Sequence, residues 1–116
     1  MTRYMNTPKH TSNIKSLGLA YKAGAVILGE KRVLSQLRDM KLLILASDAS
    51  PNITKKVLKK VAYYQVPFIH TWTKDILNTS IPGSPVLIGV TDSTFIPLIN
   101  KEASDGQKTN TTVQRS

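Results

Sequence analysis

The chain has 116 residues, enough for one domain with a hydrophobic core and too few for two ordinary ones. Sixteen Lys and Arg against seven Asp and Glu leave a formal charge of +9, which favours polyanionic partners (RNA, DNA or anionic lipid) and says nothing about fold. The absence of cysteine excludes disulfides, thiolate metal sites and cysteine nucleophiles.

Residues 1–11 and 103–116 are rich in Thr, Asn, Ser, Lys and Gln and hold too little apolar surface to offset their ordering entropy. Both are expected to be flexible tails around a domain at 12–102. Met1 to Asn13 lacks the apolar segment of a signal peptide, and no run approaches the roughly 20 apolar residues of a membrane span. A soluble cytoplasmic protein with no membrane partner is the expectation.

Ser12 is placed to cap a first helix, whose Ile14, Leu17, Gly18 and Tyr21 recur at helical spacing and which Gly24 ends. Ala25 to Leu28 reads as a short strand. Gly29 then opens a second helix with Val33, Leu34, Leu37 and Met40 inward and Lys31, Ser35 and Arg38 on the opposite side. Leu42 to Ala46 is a continuous apolar run, the pattern of a central strand covered on both faces. Ser50-Pro51 supplies a cap and a first-turn proline for a third helix. Ile53, Val57, Leu58, Val61 and Ala62 are its expected buried stripe, and Lys55, Lys56, Lys59 and Lys60 its solvated one. Val66-Pro67 stops that helix, Phe68 to Trp72 reads as a strand, and Thr73 caps a short helix through Leu77. A turn-rich loop from Asn78 to Pro85 carries Ile81, read as an exposed aliphatic. Val86 to Val90 is the fourth strand, and Asp92 begins a last helix packing Phe95, Leu98 and Ile99. Pro97 lies deep enough in that helix to delay or distort its start. Strands alternating with helices imply an α/β sandwich, a compact mixed four-stranded sheet with helices on both sides.

The junction at Gly29 carries the strongest functional signal. Free N–H groups of a first helical turn beside Lys31 and Arg32 suit an anionic ligand such as a phosphate backbone. The spacing Gly24 to Lys31 imitates a nucleotide-binding loop, but Glu30 separates Gly29 from Lys31, and Arg32 replaces the hydroxyl that holds magnesium. Nucleotide hydrolysis is therefore not expected. His10 and His70 have no catalytic partner at recognisable spacing, His70 reading as a strand-face residue, and the carboxylates are dispersed. No enzyme, metal or cofactor is expected. Trp72 and Tyr63 are read as packing residues.

The order of motifs resembles a known family: Leu17-Gly18-Leu19-Ala20-Tyr21-Lys22-Ala23-Gly24, then Gly29-Glu30 followed by Val33-Leu34, then Leu42 to Asp48 with Ala49-Ser50. Tyr63-Tyr64-Gln65-Val66-Pro67 and Val90-Thr91-Asp92 with Phe95 complete it. This is similar to the bacterial YlxQ-type branch of the kink-turn-binding ribosomal-protein superfamily, over residues 14 to 100. The resemblance implies a three-layer α/β/α fold that binds kinked RNA through two surfaces. One is the helix start after Gly29, where the better-known relatives carry Asn, Glu and Lys that engage tandem G·A pairs. The corresponding positions here are Gly29, Lys31, Arg32 and Ser35: cations replace the base-reading Asn and Glu, Ser replaces the Lys, and Glu30 is expected to point away from phosphate or to accept from a base amino group. The other is the loop Ile81, Pro82, Gly83, Ser84 and Pro85, where Ile81 or Val86 would rest against an unstacked nucleotide. Asp48 lies where relatives place an acidic residue near the flipped-out base.

The expected function is thus a non-catalytic, ribosome-associated RNA-binding domain, monomeric and without DNA specificity, recognising kinked or bulged RNA by shape. The alternative is a protein-interaction module of ribosome assembly or transcription that kept the fold and lost kink-turn specificity.

Overall fold

A computed structural model describes residues 14–83 and 85–106. Ser12, Ser84 and most of the two expected tails lie outside the described residues. The elements run α1 (Lys15–Lys22), β1 (Val26–Leu28), α2 (Glu30–Ser35), a 3₁₀ turn (Leu37–Asp39), β2 (Leu42–Leu45), α3 (Pro51–Tyr64) and β3 (Phe68–Ile69). There follow α4 (Lys74–Asn78), β4 (Leu87–Val90), a second 3₁₀ turn (Ser93–Phe95) and α5 (Ile96–Gly106).

The four strands form one mixed sheet in the order β1-β4-β2-β3. β4 runs antiparallel to both neighbours, pairing Val90 with Val26 on one side and with Leu42 on the other. β2 and β3 are parallel, Leu43 opposite Phe68, and α3 makes the crossover that a parallel pair requires. The apolar run at Leu42 is therefore central, as its composition predicts, and all four residues of β2 are buried.

Alternation along the strands divides the core into two clusters. Leu42, Ile44, Ala46, Ile88 and Val90 meet Ile14 and Leu17 of α1, Leu77 of α4 and Ile99 and Ala103 of α5. Leu43, Leu45 and Leu87 meet Val33 and Leu37 from the α2 region and Val57 and Val61 of α3. Helices cover both faces, giving the three layers.

Local signals hold at several ends. Gly24, at φ +76, closes α1 with a Schellman pair: its N–H donates to the Tyr21 carbonyl and that of Ala25 to the Ala20 carbonyl. Ser50 Oγ accepts from the Ile53 N–H, and Thr73 Oγ1 from that of Ile76. At α1 the described cap residue is Ile14, without a side-chain cap bond, and the first turn is served from the far end of the chain. Glu102 accepts from the Ser16 N–H at 3.1 Å and from Ser16 Oγ at 2.7 Å.

Several expectations shift. α2 ends at Ser35, so Lys31, Ser35 and Arg38 do not share one helical face, Arg38 standing on the 3₁₀ turn. The buried stripe of α3 is narrower than its apolar content: Leu58 and Ala62 are exposed, because only one layer lies beneath the helix. Leu98 is likewise exposed, whereas Ile99 beside it is buried. Trp72 is buried as expected, but Tyr63 is 80% exposed. The strand at Phe68 stops at Ile69, leaving His70 beyond it with its ring tilted against Phe68. Pro97 is accommodated because Asp92 caps a 3₁₀ turn and the α-helix starts only at Ile96, where the first N–H groups have no helical partner to lose. α5 continues to Gly106, and Ala103 is buried, so the ordered helix passes the boundary expected at 102.

Candidate nucleic-acid interface

Gly29 links β1 to α2 with φ +103 and ψ 133, a backbone conformation that an L side chain adopts only under strain. That turn points the chain from the sheet edge directly into the helix, whose first turn has no side-chain cap. The N–H of Gly29 donates to the Leu87 carbonyl at 3.4 Å, fixing the junction to β4.

The chain leading into β4 approaches from the other side. Leu28, Gly29, Glu30, Pro82, Gly83, Pro85, Val86 and Leu87, with Ile53 of α3, line one open groove of about 480 Å³. Two segments more than 50 residues apart in sequence thus form the walls of one concavity. Lys31 and Arg32 are exposed immediately beyond Glu30, with no ion pair to the described residues.

Glu30 is paired with Lys56 of α3, whose Nζ lies 2.7 Å from Oε2. This exposed pair contributes little to stability. It matters for charge: the one carboxylate lining the groove is partly neutralised, and an α3 lysine is brought to the groove's mouth.

Ile81 is not available to a ligand. It is 0% exposed, in the same cluster as Leu17, Trp72 and Leu77. Its N–H donates to the Leu77 carbonyl, and neighbouring Ser80 Oγ donates to the Ile14 carbonyl, so this end of the loop is anchored on α1. The apolar contacts of the groove come from Pro82, Pro85, Val86 and Ile53. Ser84 is outside the described residues. Ser35 Oγ donates to the Arg32 carbonyl at 2.9 Å, capping its own helix. Asp48 does not line the groove; its Oδ1 accepts from the Lys74 N–H at 2.9 Å and serves the start of α4.

Sequence reasoning missed Ile53 and Lys56. Ile53 reads as core from its spacing but is half-buried and emerges into the groove, whereas Lys56 lies on the solvated face its spacing predicts and reaches the groove only through Glu30. No residue spacing connects Lys56 to Glu30, 26 positions away. Among the described residues no group of three His, Cys, Asp or Glu is placed to hold a metal, and no helix is long and apolar enough to cross a membrane.

No protein-family profile matches the sequence. Over 82 residues the chain is 40% identical to the RNA-binding protein YlxQ of Bacillus subtilis strain 168, covering 68% of this chain and 82% of that one. It is 31% identical over 93 residues to the RNA-binding protein YlxQ of Enterococcus faecium, covering 78% and 90% of the two chains. Among solved structures, a protein of unknown function from Bacillus halodurans matches with a TM-score of 0.72 and 32% identity, over 78% of this chain and 95% of that one. The Giardia lamblia 15.5kD RNA binding protein matches with a TM-score of 0.65 over 82% and 84% of the chains, and at 15% identity that likeness is one of fold. Given its identity with the Bacillus and Enterococcus proteins over most of their length, the chain belongs to the YlxQ family.

Proposed function

We propose that this protein binds structured RNA without catalysing a reaction on it, docking a kinked duplex in the groove between the start of α2 and the Pro82–Val86 loop. The observation that carries the reading is the convergence of those two segments in one concavity, flanked by Lys31 and Arg32 and reached by Lys56. The YlxQ relatives named as RNA-binding proteins support it. Lys31 and Arg32 hold backbone phosphates, a role that any cation within reach performs, and Arg32 also has the fork that fits a guanine edge. Pro82, Pro85, Val86 and Ile53 supply the apolar surface for an unstacked nucleotide. Selection is by shape, because the major groove of an A-form duplex is too deep and narrow for side-chain readout. A monomer acting on ribosomal or other structured RNA in the cytoplasm fits this reading.

The test is a calorimetric titration with a kink-turn RNA and the same RNA lacking its G·A pairs, at two salt concentrations, with wild type and Lys31→Ala/Arg32→Ala. Tighter binding to the intact motif, lost in the double variant, is the expected result. Equal weak binding to both RNAs, falling steeply with salt, would reduce the interaction to non-specific attraction by the +9 charge and turn the search to protein partners.

A further inference from the structure

α3 carries a row of cations and a tyrosine that starts at Lys56, beside the groove, and continues through Lys59, Lys60 and Tyr63, which the groove does not use. Lys56, Lys59, Lys60 and Tyr63 recur at i, i+3, i+4 and i+7 and so lie along one side of the helix. With Tyr64 they line a shallow concavity of about 460 Å³ that contains no acidic residue. The two tyrosine rings meet edge to face, centroids 4.9 Å apart and planes at 82°, which steadies Tyr63 while leaving it largely open to solvent. Tyr64 also borders the neighbouring concavity on the 3₁₀ turn, where Arg38 and Asp39 balance in charge, so the uncompensated cations are those of α3. At its other end Lys56 reaches Glu30 at the mouth of the groove. From Lys56 to Tyr63 the track is roughly 10 Å long at about 1.5 Å per residue.

Cations in a row with an open aromatic face suit a chain that alternates phosphate charge with flat bases. A duplex presents phosphates but keeps its base faces stacked, so it would leave Tyr63 unused. A protein partner fits less well, since Lys is depleted from the cores of protein interfaces. We infer that the α3 face binds a single-stranded RNA segment continuing from the docked duplex, with its phosphates on Lys56, Lys59 and Lys60 and one base stacked on Tyr63. This rests on the RNA-binding reading above and adds a second surface to it.

The experiment uses the full chain and five RNAs: a blunt kink-turn duplex, its control without G·A pairs, the blunt duplex with a short single-stranded pyrimidine extension on one strand end or on the other, and the extension alone. One extension tightens binding roughly tenfold. Tyr63→Ala removes most of that gain, Tyr63→Phe keeps it, and neither changes the affinity of the blunt duplex. Tyr63 is too exposed for either variant to threaten folding. A gain absent in wild type, or one that survives Tyr63→Ala intact, would overturn the inference. If the blunt duplex binds no better than its control without G·A pairs, the groove reading fails instead. In that event a Tyr63-dependent affinity for the extension alone still upholds the α3 face.

Discussion

On one face of the sheet, α1, α4 and α5 close over Leu17, Trp72, Leu77, Ile81 and Ile99, and Glu102 ties the start of α1 to the last helix. On the other, α2, its 3₁₀ turn and α3 press Val33, Leu37, Val57 and Val61 against the strands. These elements carry Lys31, Arg32, Arg38, Lys55, Lys56, Lys59 and Lys60 against only Glu30 and Asp39. The first face ties its helix ends and chain through Thr73, Ser80 and Glu102 and exposes fewer cations, Lys15, Lys22 and Lys101, whereas the second leaves a denser set of cations and two tyrosines facing outward. The difference teaches that the layer with the larger apolar cluster secures the fold, while the other, held by a narrower apolar stripe, concentrates exposed cations, the charge the proposed RNA site calls on.

Trp72→Ala should give the largest effect, a loss of about 3–5 kcal/mol in urea unfolding, because the side chain is 2% exposed in the larger cluster. A loss below about 1 kcal/mol would break the assignment of stability to that face. Gly89→Ala comes next, at about 1–3 kcal/mol. A Cβ there would collide with the Met40 sulfur and come within 3.3 Å of Val33 Cγ1, in the layer beneath α2. Pairing it with Met40→Ala should cost less than the two single changes added together, and strict additivity would locate the strain elsewhere.

Glu30→Gln sharpens the contrast between stability and binding. Its ion pair with Lys56 is exposed, so unfolding should shift by less than about 1 kcal/mol. Binding of kink-turn RNA should nevertheless tighten about two- to fivefold, as a carboxylate leaves the groove and Lys56 is released. Weaker binding would instead identify Glu30 as an acceptor for a base amino group.

The smallest effect concerns Asp92, on the stability side. Hydrogen bonds from the Thr94 N–H and then its side chain hold the Asp92 carboxyl below its ordinary range, outweighing slight desolvation. A lowered folded value means that the stabilisation is fully present above the unfolded value, about 3.9, and is lost as pH falls through the folded one. An NMR titration of Asp92, with unfolding followed at descending pH, checks this. Asp92→Asn should abolish that acid-range dependence, and a carboxyl titrating at or above the ordinary value would refute the cap.

The chain by itself determined the parts that depend on near neighbours. The Leu42 run demanded a strand buried on both faces, Ser50-Pro51 and Thr73 announced helix starts, and Gly24 and Gly29 marked two of the turns that take positive φ. The charge and the Gly29 junction point to a polyanion by residue type and order alone. Tertiary structure decided which apolar side chains find a partner. Ile81 is an isolated aliphatic among turn residues, with nothing local to signal burial, and it is covered only because Ser80 and Leu77 fasten its loop to the core beside α1. Leu58, Ala62 and Leu98 have core-like identities but lie outside the stripe that one underlying layer can bury. The groove was half legible: its walls carried recognisable turns and cations, while their meeting, and the arrival of Ile53 and Lys56, rest on contacts between distant segments. Local propensity acts over a few residues, whereas a binding surface is assembled from segments that only the packed sheet brings together.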